Sequence, residues 1–295
     1  MENDIIAIVM AAGKGTRMKS KNSKLVQKIY GKEIVKRAVE NAEKAGVKDI
    51  VAVVGYKKEE VMKVLGDNIK YAFQDEMLGT GHAVMQAKEY LKGKKGKVLV
   101  LNGDVPLIRP ETLNKLIEKS IENKEYATLL TAIYDDPTGY GRIVRDEGGN
   151  IEGIVEEKDT TEEQKKITEI NAGIYCFDIE ALLEALEKIT PNNKQGEYYI
   201  TDVIQIMNNR GLKTGAVIVE DNTEILGIND RIQLGILTKV LQMRINTELM
   251  KHGVTIEDTN TTYIYDDVEI GMDTVIHPNT TIKSGVIIGE DCEIG

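Results

Sequence analysis

The first half of the chain alternates short, continuous apolar runs with longer stretches whose apolar residues recur at helical spacing. Residues 5–10 (IIAIVM), 50–54 (IVAVV), 69–73 and 98–101 are such runs, as expected for strands buried on both faces of a sheet. Residues 31–46 set Ile34, Val35, Ala38, Val39, Ala42 and Ala45 on one helical stripe, and Gly46 stops it. Helices are also predicted over 57–65 and 81–91. Pro110 sits in the first turn of another, ahead of Leu113, Leu116 and Ile117. This rhythm predicts an α/β, Rossmann-like sheet, mostly parallel, with helices on both faces.

The middle is more mixed. Residues 127–133, 141–145, 151–155 and 172–177 read as strands, separated by the turn-forming stretches DDPTGYG (135–141) and DEGGN (146–150). Helices are predicted over 179–188 and 198–209. Asp230 is placed to N-cap a long connecting helix from Arg231 to about His252, with Gly253 after its end.

The period then changes again. Ile264, Ile270, Ile276, Ile282, Ile288 and Ile294 recur at every sixth residue, and Val268, Thr274, Thr280, Val286 and Cys292 keep step four residues behind. Neither a helix nor a strand repeats at six, but one flat side of a triangular parallel β-helix does. The division expected is 1–229, a linker helix over 230–252, and the start of a β-helix over 253–295. So few coils bury little, so the chain is expected to be a piece of a longer protein.

The net charge of −10 over 295 residues argues against a nucleic-acid partner, which needs a basic face. It leaves room for a small basic pocket. Cys176 and Cys292 have no metal-ligand spacing, and both are expected to be buried thiols in a reducing compartment. No apolar run approaches the roughly 20 residues of a membrane span, and no secretory leader pattern opens the chain. A cytoplasmic protein without a membrane partner is expected.

Within this acidic chain, IVMAAGKGTRMKSKNSK (8–24) gathers Lys14, Arg17, Lys19, Lys21 and Lys24 just after a strand. The P-loop pattern fails, because no Gly-Lys-Ser/Thr follows Gly13 and Gly15. The dinucleotide fingerprint fails too: Met18 stands where its third glycine belongs, and the second strand ends in Gly55-Tyr56-Lys57 without an acid. More general physics remains. Gly13 and Gly15 let backbone N–H groups face an anion, and Arg17 and Lys24 supply charge to phosphate oxygens. A second strand, 98–101, runs into Asn102-Gly103-Asp104. Ligands bind beyond the carboxyl ends of such strands, so Asp104 shares an edge with the loop. A carboxylate beside phosphates suits Mg²⁺.

Taken in order, AAGKGTRM with Lys24, QDEMLGTGHA (74–83), NGDVPL (102–107), GYGRIV (139–144), IVEEKD (154–159), EINAGIY (169–175), GIND (227–230) and the six-residue tail resemble the bacterial N-acetylglucosamine-1-phosphate uridylyltransferase/glucosamine-1-phosphate acetyltransferase family over essentially the whole chain. The resemblance implies a nucleotidyltransferase domain with a mixed sheet and the start of a left-handed β-helix. It implies transfer of uridylyl from UTP to N-acetylglucosamine 1-phosphate with Mg²⁺, and a homotrimer for the full-length protein. By motif matching, Met10, Ala11, Ala12 and Gly13 would run along the nucleotide and Lys24 would meet its phosphates. Arg17 would steady the departing pyrophosphate. Gln74, Gly79 and Thr80 would read uracil. Asp104 and Asn229 would hold the metal, and Asn229 would also touch substrate. Gly141, Glu156 and Asn171 would bind the acetamido sugar. Asn102 departs from relatives that are aromatic there, which leaves its contact with sugar or ribose open. His82 reads as a structural residue at a helix start. Acetyl transfer would need residues beyond 295 and is expected to be absent. Thymidylyl- or adenylyltransferases and non-catalytic subunits of the same architecture are the alternatives. LGTGHA with the Glu156/Asn171 pair argues against the first, and Arg17, Lys24 and Asp104 together argue against the second.

Overall fold

A computed structural model describes residues 5–295. β1 (Ile5–Ala11) opens the chain's main sheet and is followed by a small hairpin, β2 (Lys28–Ile29) and β3 (Lys32–Glu33). Then come α1 (Ile34–Lys44), β4 (Asp49–Val54), α2 (Lys58–Leu65), β5 (Lys70–Phe73), α3 (Thr80–Gln86), α4 (Lys88–Leu91), β6 (Lys97–Asn102) and α5 (Pro110–Glu122). The second half adds β7 (Ala127–Ile133), β8 (Arg142–Arg145), β9 (Ile151–Val155), β10 (Glu169–Asp178), α6 (Ile179–Leu186), α7 (Asp202–Asn209), β11 (Thr214–Ile218) and α8 (Arg231–Lys251).

The sheet order is β11-β7-β10-β6-β1-β4-β5, with β8 and β9 branching from β10. β6, β1, β4 and β5 are mutually parallel, whereas β10 runs antiparallel to both β6 and β7. The mixed sheet is therefore as expected. It has one consequence for function: the start of β10 lies at the same edge as the carboxyl ends of β1 and β6. Met10 is in register with Asn102 there. Alternation along β1 feeds two cores. Ala7, Val9 and Ala11 pack with Ile34, Val35, Leu113 and Leu116 on one face, and Ile6 and Ile8 pack with Ala83, Val84, Leu182 and Met207 on the other.

The departures from expectation have local causes. The helix predicted over 31–46 starts only at Ile34 because the hairpin uses the residues before it. Tyr30 (φ 47°) and Gly31 (φ 76°) form a tight left-handed turn there. The stretch 81–91 breaks at Ala87 into α3 and α4. The helix expected from 198 starts at Asp202, because the Tyr198 backbone is engaged elsewhere. Its N–H donates to the Leu78 carbonyl (2.8 Å) and its carbonyl accepts from Gly81 N–H (2.7 Å). β11 carries the glycine-containing TGAVI and was not anticipated. Cys176 is buried, and burial pushes its thiol up to about 11. Cys292 is half-buried where burial was expected.

Asp230 caps α8, its Oδ1 accepting from Gln233 N–H at 2.8 Å. Beyond α8, β12 (Thr255–Ile256), β13 (Tyr263–Ile264), β14 (Glu269–Ile270), β15 (Val275–Ile276), β16 (Thr281–Ile282), β17 (Ile287–Ile288) and β18 (Glu293–Ile294) are two residues each. β13, β14 and β15 each pair in parallel with the third strand after them, which is a three-sided coil. Each isoleucine of the six-residue repeat is the second residue of its strand, and Ile264, Ile276 and Ile282 are buried between coils. α8 caps the first coil with amides: Gln242 Nε2 donates to the Thr259 and Thr262 carbonyls, and Asn246 Nδ2 to the same pair. Arg37 of α1 bonds Asp266 (2.6 Å) and the Ile29 carbonyl (2.7 Å), which joins the coil to the hairpin. No helix among the described residues is long and apolar enough to cross a membrane.

His277 bridges successive coils, with Nδ1 2.9 Å from Glu257 and Nε2 2.8 Å from Glu293. Its bond to Glu257, then that to Glu293, raise its pKa above the ordinary histidine value. The charged ring's contribution to the coil is thus complete below the ordinary value and is lost as pH rises through the raised one. NMR titration is expected to show the raised value, and Glu257→Gln is expected to lower it. An unshifted value in the wild type would contradict the bridge.

Candidate active site

β1 delivers the chain into the loop of residues 12–23 at the sheet edge. Gly15 holds φ at 57°, and a Cβ there would lie 2.7 Å from Lys24 Cβ, so only glycine lets Lys24 fold back under the loop. A short 3₁₀ turn, Lys24–Val26, follows, with Ser23 Oγ accepting from Leu25 N–H. Lys24 is only 8 % exposed. Its Nζ lies 2.6 Å from Asp104 Oδ2 and 3.2 Å from Asn229 Oδ1. The two oxygens come from distant parts of the chain. Gly103 N–H donates to the Met10 carbonyl (2.9 Å) and fixes the turn after β6, while Ile228 N–H donates to the Asp104 carbonyl (3.0 Å). Asn229 N–H is held by Gln233 Oε1 at 2.7 Å, at the start of α8.

A cationic group thus already sits between the two oxygens expected to hold a metal. One carboxylate and one amide oxygen, hard donors beside open space, suit an ion that takes its remaining ligands from phosphates and water. No group of three or more His, Cys, Asp or Glu side chains able to hold a metal occurs among the described residues.

Two cavities meet at this point. One, about 260 Å³, is lined by Ala12, Gly13, Lys24, Gln74 and Gly79. The other, about 430 Å³, is lined by Arg17, Gly141, Glu156, Asn171 and Asn229. Met10, Thr80, Asn102 and Asp104 border both. Ala11 lines neither; it is buried in the core, its side chain turned into the sheet face shared with α1. Arg17 stands exposed on the rim of the second cavity. Lys14, Lys19 and Lys21 are exposed and line neither.

The second cavity is organised by β10. Asn171 Nδ2 donates to the Tyr175 hydroxyl (2.7 Å), its Oδ1 accepts from Gly173 N–H (3.1 Å), and its own N–H donates to the Gly141 carbonyl (2.9 Å). Burial pushes the Tyr175 phenol up, so it stays neutral. Asn102 Nδ2 donates to the Gly173 carbonyl at 3.2 Å, leaving its oxygen for a ligand. Glu156 Oε1 accepts from Thr201 Oγ1 at 3.0 Å. Desolvation raises the Glu156 pKa, and Asp202, Asp159 and Glu197 add to the effect. In the first cavity, Gln74 Nε2 donates to the Gly79 carbonyl and approaches His82 Nδ1, both at 3.1 Å. Thr80 Oγ1 accepts from Ile200 N–H at 3.1 Å. Met77 and Glu197 in the first cavity, and Tyr140 and Tyr175 in the second, were not anticipated. Tyr140 and Tyr175 lie inside the motifs GYGRIV and EINAGIY, which was the one available signal. Glu197 is held at the site by Asn193, whose side chain bonds its N–H (3.2 Å) and carbonyl (2.6 Å), and by the adjoining Tyr198 contacts, none of which a sequence period encodes.

Residues 6–259 match the nucleotidyl transferase family, and residues 260–295 match the bacterial transferase hexapeptide of six repeats. The chain belongs to the nucleotidyl transferase family. It is 53% identical over 292 residues to the bifunctional protein GlmU of Caldanaerobacter subterraneus subsp. tengcongensis, a match covering 99% of this chain and 64% of that protein. With the GlmU of Acetivibrio thermocellus it shares 51% over 291 residues, covering 99% of this chain and 63% of the relative. The chain thus spans less than two thirds of the length of these relatives. Among solved structures, a putative glucose-1-phosphate thymidylyltransferase from Bacillus anthracis superposes with a TM-score of 0.65 at 20% identity, covering 80% of this chain and 94% of that one. That likeness shows the fold alone.

The raised Glu156 carboxyl makes a signed prediction. Folding binds its proton more tightly than the unfolded chain does, so stability falls as pH rises from the ordinary carboxylate value through the raised one. Glu156→Gln keeps the Thr201 bond and removes that penalty. Its Tm at neutral pH is expected to exceed that of wild type, while the KM for the ligand of the second cavity rises. A lower Tm would contradict the burial argument.

Proposed function

We propose that this nucleotidyl transferase carries uridylyl from UTP to N-acetylglucosamine 1-phosphate, giving UDP-N-acetylglucosamine and pyrophosphate. The observation that carries the reading is the meeting of the two cavities at Lys24, Asp104 and Asn229. The first cavity takes the nucleotide and the second the amino sugar. Asn171 and Glu156 offer acceptors for sugar hydroxyls and the acetamido N–H, and Gly141 offers backbone. A phosphate oxygen of the sugar attacks the α-phosphorus of UTP. The bond from that phosphorus to the β-phosphate oxygen breaks, and its electron pair leaves with pyrophosphate. Lys24 turns from Asp104 to the nucleotide phosphates, and Arg17, at the rim, steadies the departing charge. Positioning and charge neutralisation carry the step, with no covalent nucleophile. Asp104 and Asn229 would hold Mg²⁺, which when bound neutralises part of the phosphate charge. For the longer protein, a cytoplasmic homotrimer assembled through the coil completes the proposal.

The test is pyrophosphate release from UTP, dTTP and ATP, each paired with N-acetylglucosamine 1-phosphate and with glucose 1-phosphate, with and without Mg²⁺. Release is expected with UTP and the acetamido sugar, and only with Mg²⁺. Faster release with dTTP and glucose 1-phosphate would replace this reading by thymidylyl transfer. Lys24→Ala and Asp104→Ala should each lower kcat/KM by about 10²–10³-fold, the usual cost of one preorganised charge at a developing anion. Wild-type rates in either variant would remove the site from the mechanism.

A further inference from the structure

The first cavity contains a polar device that the reaction itself does not use. Gln74 is 3 % exposed, and its backbone N–H is tied to the Val54 carbonyl at 2.8 Å. The Gly79 carbonyl lies 3.1 Å from one end of its amide and can only accept, so that end is the NH₂. The same NH₂ faces His82 Nδ1 at 3.1 Å. For this NH₂ to be held by the ring, Nδ1 must be the acceptor and the proton must sit on Nε2. Gln86 Nε2 lies 3.1 Å from His82 Nε2 and also donates to the His82 carbonyl at 3.0 Å, so a proton on His82 Nε2 requires this half-buried side chain to shift. Both hydrogens of the Gln74 amide are then committed within the protein. Its oxygen makes no hydrogen bond among the described residues and borders the nucleotide cavity.

We infer that His82 is a positioning residue for base selection: by holding the Gln74 NH₂, it presents the Gln74 oxygen as a fixed acceptor to the pyrimidine edge. The inference rests on the uridylyl reading and deepens it. Uracil offers an N3–H donor at its pairing edge, whereas cytosine offers a bare N3 acceptor there. A fixed oxygen accepts from the first and repels the second. An amide free to turn over would offer its NH₂ to cytosine as readily. The energetic lever is the buried polar group left without a partner when the wrong base enters. His82 makes its polar side-chain contacts with Gln74 and Gln86 and none with Lys24, Asp104 or Asn229, so it selects the nucleotide without taking part in the transfer.

The experiment compares kcat/KM for UTP and for CTP, each with N-acetylglucosamine 1-phosphate, in wild type, His82→Leu and His82→Asn. Leucine removes the acceptor, while the asparagine oxygen can stand near the place of Nδ1. The UTP:CTP ratio is expected to fall at least roughly tenfold in His82→Leu and to be largely restored in His82→Asn. A ratio unchanged in His82→Leu, or equal losses with both nucleotides, overturns the inference and leaves uridylyl transfer standing. A wild type that uses neither UTP nor CTP overturns the uridylyl reading and this inference with it. Should the leucine variant not fold, a long-range ¹H–¹⁵N spectrum of histidine-labelled wild type decides, since the chain has only three histidines. The inference requires His82 as the Nε2–H tautomer, and the Nδ1–H tautomer overturns it.

Discussion

The site depends on one charge contact, the Lys24 ammonium lodged between Asp104 and Asn229. These groups lie 80 and 205 residues from Lys24 in sequence, and nothing local brings them together. A nearly buried ammonium is tolerable only where oxygens replace its water. The contact therefore fixes the glycine loop, the turn after β6 and the entry to α8 in one arrangement. It also stores a choice. The same lysine charge can serve the carboxylate or incoming phosphates, and a cation at the two oxygens would favour the second.

The sheet makes that contact possible. Parallel strands β1 and β6 end side by side, and β10, antiparallel to β6, starts where they end. Main-chain direction alone thus puts the glycine loop, Asn102 and Asn171 on one edge. The two cavities lie on either side of the β1–β6 junction. Met10 and Asn102, in register across it, border both. α8 links this edge to the coil. Asp230 and Gln233 at its start hold the Asn229 turn, while Gln242 and Asn246 further along bind carbonyls of the first coil.

Much of this was legible in the sequence, for definable reasons. The buried strands of the parallel sheet show as continuous apolar runs, and the coil as a six-residue period, because each reflects a repeating geometry. Lys24, Asp104 and Asn229, which the structure brings together, were legible as candidates because they sit in short motifs at strand or helix ends. What was not legible depends on long-range contact. The hairpin at residues 28–33 hides inside a helical stripe, since Ile34 and Val35 keep their spacing whichever residue starts the helix. Tyr198 looks helical until Leu78 and Gly81 claim its backbone. Ala11 belongs to the right motif, yet strand alternation turns its side chain into the core. The Gln74–His82 contact joins a strand end to a helix start, and motif reading placed the two residues without their relation.

We propose that Asp104 and Asn229 take the cation and that Lys24 gives way to it. Anomalous diffraction from crystals grown with Mn²⁺, as a stand-in for Mg²⁺, and UTP tests it most directly. A manganese peak is expected at coordination distance from Asp104, with the Asn229 oxygen beside it and Lys24 turned onto the phosphates. Manganese bound away from both residues, with the Lys24–Asp104 pair intact beneath the nucleotide, would contradict it.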